Sequence, residues 1–181
     1  MSDRVELYDG NALDPVHGRE TLSEFTVGEK TVKAEIMNVY RYFNADGQEQ
    51  AVKDADAYKM HGYTVLKVDV TQGENTASKY YLLYKDENEG DALNLRIRRR
   101  AVTLTSDSDS RPYGEEPLKK DGITVTGDGF APGEGYNYAF SVEAFRLDVG
   151  TSDNSFNYSL QENTKEANYD VTVVFGTLTV T

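Results

Sequence analysis

The sequence contains no cysteine, no tryptophan and only two histidines among its 181 residues. Without cysteine the chain cannot form disulfides, thiolate metal sites or a cysteine nucleophile. No apolar stretch approaches the length needed to cross a bilayer, and no signal peptide follows Met1. These absences fit a cytosolic protein and a surface protein of a bacterium that avoids disulfides equally well. Because the chain starts and stops abruptly at strand-like sequence, we expect it to be a fragment of a longer protein.

Positive charge is also scarce, since 19 Lys and Arg residues face 31 Asp and Glu residues and the formal net charge is −12. An acidic surface repels phosphate backbones, so we do not expect nucleic acid to be a partner. The chain has one basic run, which contains Arg96, Arg98, Arg99 and Arg100. This run is either a solvated strand end that balances nearby acids or a binding patch for an acidic glycan or partner.

Alternation of apolar and polar residues is the dominant pattern of the chain. Period two places alternate side chains on one face of a β-sheet, and 13 of the 20 aromatic residues are tyrosines, which suit thin β layers because their hydroxyl stays wet. We therefore predict a mainly β fold. The alternating runs are Val32, Ala34 and Ile36; Leu66, Val68 and Val70; Tyr136, Tyr138, Phe140 and Val142; and Val171 and Val173.

Only one segment has a pattern that fits a helix. Between residues 48 and 60, Ala51, Ala55 and Tyr58 would share a helical face, with Val52 beside them. The segment has no strong capping residue, so a short helix and an irregular loop are both left open.

The two halves of the chain repeat weakly. Tyr8 and Leu13 are spaced like Tyr113 and Leu118, and each half closes with a hairpin-like pattern. We therefore predict two tandem small β modules, a divergent one over residues 1–100 and a second over residues 101–181.

The second module resembles a repeat of large cell-wall-anchored proteins of Gram-positive bacteria. The matching text is carried by four short stretches in particular: Tyr113-Gly114, Ile123-Thr-Val-Thr-Gly-Asp-Gly-Phe130, Asp148-Val-Gly-Thr-Ser152 and Gly176-Thr-Leu-Thr-Val180. The resemblance covers residues 101–181 almost continuously, whereas residues 1–100 match only at their ends and depart from the pattern between 39 and 70.

The resemblance implies a small immunoglobulin-like or β-grasp-like module in an extended surface stalk. It implies a non-enzymatic spacer or adhesive segment, without catalytic residues or cofactors. The expected setting is extracellular and wall-attached through other parts of the parent protein. The expected state is a monomer that is not embedded in a membrane, with neighbouring repeats as its partners.

The residues that could support catalysis or bind a metal are few. His17 is in a loop by composition and His61 precedes a strand, and we expect both to be ordinary surface histidines because no catalytic motif surrounds them. The acidic segment 86–91 offers oxygen ligands for calcium but lacks EF-hand spacing, so an acidic hairpin loop is the simpler interpretation. We expect a hairpin turn at residues 44–47 and a solvated loop at residues 107–110.

Surface modules of the kind resembled sometimes carry a Lys–Asn isopeptide crosslink. Lys33 and Asn94 are the candidate pair here, although nothing in the sequence requires the bond.

Exposed tyrosines provide the last candidate site. Rings can stack on sugar faces, and the same rings can instead pack across strands. The alternative function is thus a carbohydrate- or host-protein-binding module with its site in the divergent first half. The candidate ligand-facing residues are Tyr80, Tyr81, Tyr84, Tyr136 and Tyr138.

Overall fold

The chain forms two compact units in a computed structural model that describes residues 4–85 and 93–181. The first unit comprises Met1–Glu6 and Asn11–Ile97, and the second comprises Leu7–Gly10 and Arg98–Thr181. The sequence placed the division near Arg100 and assigned Leu7–Gly10 to the first half. In the structure, this short segment belongs to the second unit, and most of the first unit lies in the chain between two parts of the second.

The first unit is a six-stranded sheet in the order β1-β6-β4-β3-β2, in which β5 also pairs with β4. The fourth strand is long enough for β6 to pair with its first residues and β5 with its later ones. The hairpin turns use Gly28 and Gly73, whose positive φ angles of 61° and 59° favour glycine. The strands are β1 (Arg4–Leu7), β2 (Val16–Val27), β3 (Lys30–Phe43), β4 (Ala57–Gln72), β5 (Asn75–Lys85) and β6 (Leu93–Arg98).

The register of β3 and β4 gives the sheet one apolar and one charged face. Val32 lies opposite Val70 and Ile36 opposite Leu66, as the alternation predicted. On the reverse face Lys33 lies opposite Asp69. The core of this unit lies mainly where β3 ends and β4 begins, and it includes Val52 of the loop that joins these two strands. Its buried residues include Met37, Tyr42, Val52, Tyr58, Met60, Leu95 and Ile97.

The helix alternative for residues 48–60 is wrong. The segment is an irregular loop up to Asp56, and β4 begins at Ala57. Val52 is fully buried, and its carbonyl accepts a hydrogen bond from the Leu13 amide. Ala51 is exposed, so the segment does not bury the continuous apolar face that would stabilise an amphipathic helix.

Within residues 4–85 and 93–181 there is no α-helix, and a 3-10 turn at Glu166–Asn168 is the one helical element. The mainly β prediction is confirmed. No helix in the part of the chain that the structure describes has the length and apolar character needed to cross a membrane.

The second unit contains three small sheets, with the orders β13-β7-β9, β11-β14-β8 and β10-β12. Its first strand β7 runs parallel to β13, and the next strand β8 runs parallel to β14. The strands are β7 (Arg100–Ser106), β8 (Asp109–Arg111), β9 (Ile123–Gly127), β10 (Tyr136–Phe140), β11 (Gly150–Asn154), β12 (Phe156–Leu160), β13 (Tyr169–Val174) and β14 (Gly176–Val180).

The chain passes twice from the β13-β7-β9 sheet to the β11-β14-β8 sheet, once between β7 and β8 and once between β13 and β14, and both passages lie at the same corner of the second unit. Between β7 and β8 the chain passes Asp107, and between β13 and β14 it passes Phe175. At Gly176 a Cβ atom would lie 2.5 Å from the Asp107 carbonyl oxygen, so only glycine allows the two backbones to approach this closely. Beyond the corner, Leu118, Leu178 and Val180 form a buried apolar cluster.

Candidate functional site

Tyr8 binds the segment Leu7–Gly10 into the second unit. Its hydroxyl donates to a carboxylate oxygen of Glu134 at 2.5 Å, and its ring packs edge-on against Tyr169 with centroids 5.8 Å apart. The Tyr169 hydroxyl donates to the other Glu134 oxygen at 2.8 Å and accepts the Ala131 amide at 3.0 Å. A single carboxylate therefore receives two phenol hydroxyls.

Burial and the Glu134 carboxylate keep these phenols neutral. Burial is the main reason that the pKa of Tyr169 is raised to about 12, and the hydrogen bond to Glu134 adds to it. The pKa of Tyr8 is raised further for the same two reasons. Both residues thus act as hydrogen-bond donors that hold structure together.

Arg100 uses its guanidinium to hold backbone. It donates to the carbonyl oxygens of Tyr8 at 3.0 Å and Gly129 at 2.7 Å, and also to the carbonyl of Asp128. Its neighbour Arg99 forms an exposed ion pair with Asp170 at 3.2 Å. Within the basic run, the Arg99–Asp170 pair matches the charge-balancing interpretation, whereas Arg100 binds backbone carbonyl oxygens.

The corner of the second unit is held by two buried polar side chains. Ser106 donates its hydroxyl to the Asn154 carbonyl at 2.6 Å and accepts the Gly176 amide at 2.9 Å. The Asn154 amide donates to the carbonyls of Asp107 at 2.9 Å and Lys120 at 2.8 Å. These groups join four parts of the chain. Of the expected solvated loop at 107–110, residues 108–110 are exposed as predicted, but Asp107 belongs to the corner and Asp109 and Ser110 belong to β8.

The predicted tyrosines of the second unit lie on one face of the β10-β12 ribbon. Tyr136 stacks on Phe130 with centroids 5.5 Å apart, while Tyr138 is opposite Tyr158 and remains 48% exposed. Packing against Phe130, in the loop after β9, therefore accounts for Tyr136. The aromatic side chains of the ribbon are part of a row of rings in which neighbouring centroids are no more than 6.3 Å apart. The row consists of Tyr8, Tyr169, Phe130, Tyr136, Tyr138, Phe140, Phe156 and Phe175.

Of the predicted tyrosines of the first unit, Tyr80 and Tyr81 do not share a platform. Tyr80 is paired with Lys67 and Tyr81 with Leu66, so the two rings lie on opposite faces of the sheet. They are 61% and 49% exposed, respectively. The side chain of Tyr84 lies outside the described part of the structure.

The charged face of the first unit contains two ion pairs between residues two apart on the same strand. Lys33 lies 2.6 Å from Glu35, and Lys67 lies 2.7 Å from Asp69. Ser78 also donates to Asp69 at 2.6 Å. The Lys33 ammonium lowers the pKa of Glu35, and Lys67 does the same for Asp69, so this face stays ionised at neutral pH.

The apolar face opposite these charges is only partly covered. Its aliphatic side chains are half-buried, and the rings at its two sides, Phe25 and Tyr81, are about half exposed. We call this surface the open face. By the strand register its main apolar residues are Phe25, Val32, Ala34, Ile36, Leu66, Val68, Val70 and Tyr81, and Ser23, Ala77 and Lys79 share the same face.

Both histidines lie in strands, which corrects the prediction of a loop at His17. The imidazole of His17 contacts the Arg4 guanidinium at 2.6 Å and the Tyr42 hydroxyl at 2.8 Å. Burial and Arg4 lower the pKa of His17, so the ring is neutral at physiological pH. His61 packs edge-on against Phe43 with centroids 5.3 Å apart.

The structure separates the candidate isopeptide pair. Lys33 pairs with Glu35, whereas the Asn94 side-chain oxygen accepts from Lys59 at 2.6 Å, directly across the β4-β6 ladder. The interpretation of Lys33 and Asn94 as a crosslinking pair is therefore not supported by their positions.

The predicted ion sites differ in outcome. Asn44 accepts the amides of Asp46 at 3.1 Å and Gln48 at 2.8 Å, which confirms a hairpin turn at 44–47. The acidic segment 86–91 lies outside the described residues. Among the residues that are described, no three His, Asp or Glu side chains are grouped closely enough to hold a metal ion.

We compared the chain with known protein families, curated proteins and solved structures. No family model, curated protein or solved structure matches this chain.

Proposed function

We propose that this chain is a non-enzymatic structural segment of a Gram-positive bacterial surface protein. It acts as a spacer in an extended stalk and is attached to the cell wall through other parts of the parent protein. The observation that carries this proposal is how the second unit uses its buried and half-buried polar groups. Arg100, Ser106 and Asn154 all bind backbone, and Glu134 joins two tyrosines. Such contacts stabilise a scaffold.

The two-unit organisation supports the same proposal. Each unit buries its own apolar residues, with Leu95 and Met60 in the first and Leu104 and Leu178 in the second. Stalks are commonly built from small domains that each fold around a separate core. The resemblance of residues 101–181 to wall-anchored repeats points to the same setting.

Labelling of intact cells tests the proposed setting. Antibodies raised against the second unit should stain intact cells of the bacterium that encodes the chain, and trypsin applied from outside should remove the stain. A cytosolic protein probed in parallel should stay protected. Staining that requires lysis of the cells would contradict a surface location.

The open face supports a second candidate, in which the first unit binds a host protein. A sheet face bearing Val32, Ile36, Leu66 and Val70 at half burial can still gain by covering apolar area. Sugar recognition relies on flat aromatic rings, whereas this face is mostly aliphatic. The geometry therefore favours a protein partner over a glycan.

Two neighbouring tyrosines provide a matched test of this second candidate. Tyr81→Ala removes a ring from the open face, whereas Tyr80→Ala removes a similarly exposed ring from the charged face. Binding to immobilised mucin should weaken only in the first variant, and it should persist after the mucin is deglycosylated. Equal loss in both variants, or loss on deglycosylation, would exclude this mode.

A further inference from the structure

We infer that the second unit is a clamp that resists tension along the chain. This inference rests on the proposed stalk function, since a stalk between a cell wall and a bound surface is stretched whenever the cell is pulled. It concerns two consecutive parallel ladders of this unit, β7 with β13 and β8 with β14.

The ladders pair strands that run in the same direction. Six residue pairs join β7 to β13, from Arg100 opposite Tyr169 to Thr105 opposite Val174. Three more join β8 to β14, ending with Arg111 opposite Val180. Within Arg98–Thr181, the first residue of β7, Arg100, and the last residue of β14, Val180, therefore lie at opposite ends of two parallel ladders that follow one another across the corner.

This arrangement determines how force acts on the hydrogen bonds. When the entry is pulled one way and the exit the other, the two strands slide along each other and all bonds of the ladder are loaded together. When two residues at the same end are pulled apart, the bonds are loaded one after another. A ladder fails at lower force in the second geometry because each step breaks only a few bonds.

The corner contacts add resistance to sliding. The Ser106 hydroxyl is bonded to both Asn154 and Gly176, and the Asn154 amide reaches Asp107. The strand β11, which ends at Asn154, also pairs with β14. Sliding of β7 along β13 must therefore break these buried side-chain hydrogen bonds as well as the hydrogen bonds between the strands.

The absence of cysteine makes a direct test possible, since introduced cysteines are unique handles on the full chain. Arg99→Cys with Thr181→Cys pulls at opposite ends of the ladder. Arg99→Cys with Glu166→Cys pulls at the same end, because Glu166 is exposed and lies just before β13. Single-molecule stretching should give a several-fold higher unfolding force for the second unit in the first pair.

Two controls keep the comparison sharp. Glu162→Cys is a second exposed handle that also precedes β13 in the chain, and it should reproduce the low force. Thermal unfolding of each double variant should match the parent chain, so that a force difference reports geometry alone. Equal forces at opposite and same-end handles would overturn the clamp, and they would leave the result of surface labelling unchanged.

Discussion

The hydroxyl of Tyr8 lies 2.5 Å from a carboxylate oxygen of Glu134, although 126 positions separate these residues in the sequence. The contact makes the segment Leu7–Gly10 part of the second unit. We therefore expect that substitution of individual residues that make such long-range contacts changes the free energy of unfolding of the second unit.

Tyr8→Phe should lower the free energy of unfolding of the second unit by about 1–2 kcal/mol, because the Glu134 carboxylate loses one of its two phenol donors. Urea denaturation followed by far-ultraviolet circular dichroism measures the change. Tyr113→Phe is the control, since that side chain is 63% exposed. A similar loss in both variants would show that the Glu134 contact is not the cause.

The raised pKa of Tyr169 predicts a loss of stability at alkaline pH. Its pKa is about 12 in the folded chain and 10.0 ordinarily, so the stabilisation is complete below pH 10 and disappears as the pH rises towards 12. The unfolding midpoint in urea, measured at several pH values in that window, should fall with increasing pH. Tyr169→Phe should show a shallower fall, and an identical slope in both proteins would contradict this assignment.

Gly176→Ala should destabilise the second unit by about 3 kcal/mol or more, because the new Cβ atom would overlap the backbone of Ser106 and Asp107. Neither backbone segment can move without breaking the corner hydrogen bonds. Gly114→Ala is the matched control, since a Cβ atom there meets nothing within 4 Å. Scanning calorimetry compares the two, and near-neutral behaviour of Gly176→Ala would show that the corner can open.

Arg100→Lys should cost about 2 kcal/mol, since one ammonium cannot reproduce the guanidinium that reaches the carbonyls of Tyr8, Asp128 and Gly129. The adjacent Arg99→Lys should change stability little, because its ion pair with Asp170 is exposed. Denaturant unfolding of both variants tests the difference. Equal effects would mean that Arg100 does not hold these carbonyls.

Part of the candidate binding surface could be predicted from the sequence. The alternation of Val32, Ala34 and Ile36 with charged residues correctly indicated two unlike faces, because side chains alternate strictly along a strand. The same rule also separates Tyr80 from Tyr81, which the sequence-based site had grouped together. Their burial could not be predicted, since it depends on what lies over each face.

The alternative of a short helix at residues 48–60 rested on the same kind of local pattern and is wrong. The apolar spacing there fits one face of a helix, but Val52 alone is fully buried in the loop, and from Ala57 onward pairing with β6 favours a strand. Long-range strand pairing thus outweighed a weak local preference.

By itself the sequence determined the β class, the turns and the two faces of the first sheet, because these depend on neighbours within a few residues. Only the tertiary structure decided that Leu7–Gly10 joins the second unit, that Asn154 holds a corner, and that β7 runs parallel to β13. These features join residues far apart in the chain, and many partners are compatible with the same local pattern. The choice among them is made when the whole unit packs and its buried polar groups find hydrogen bonds.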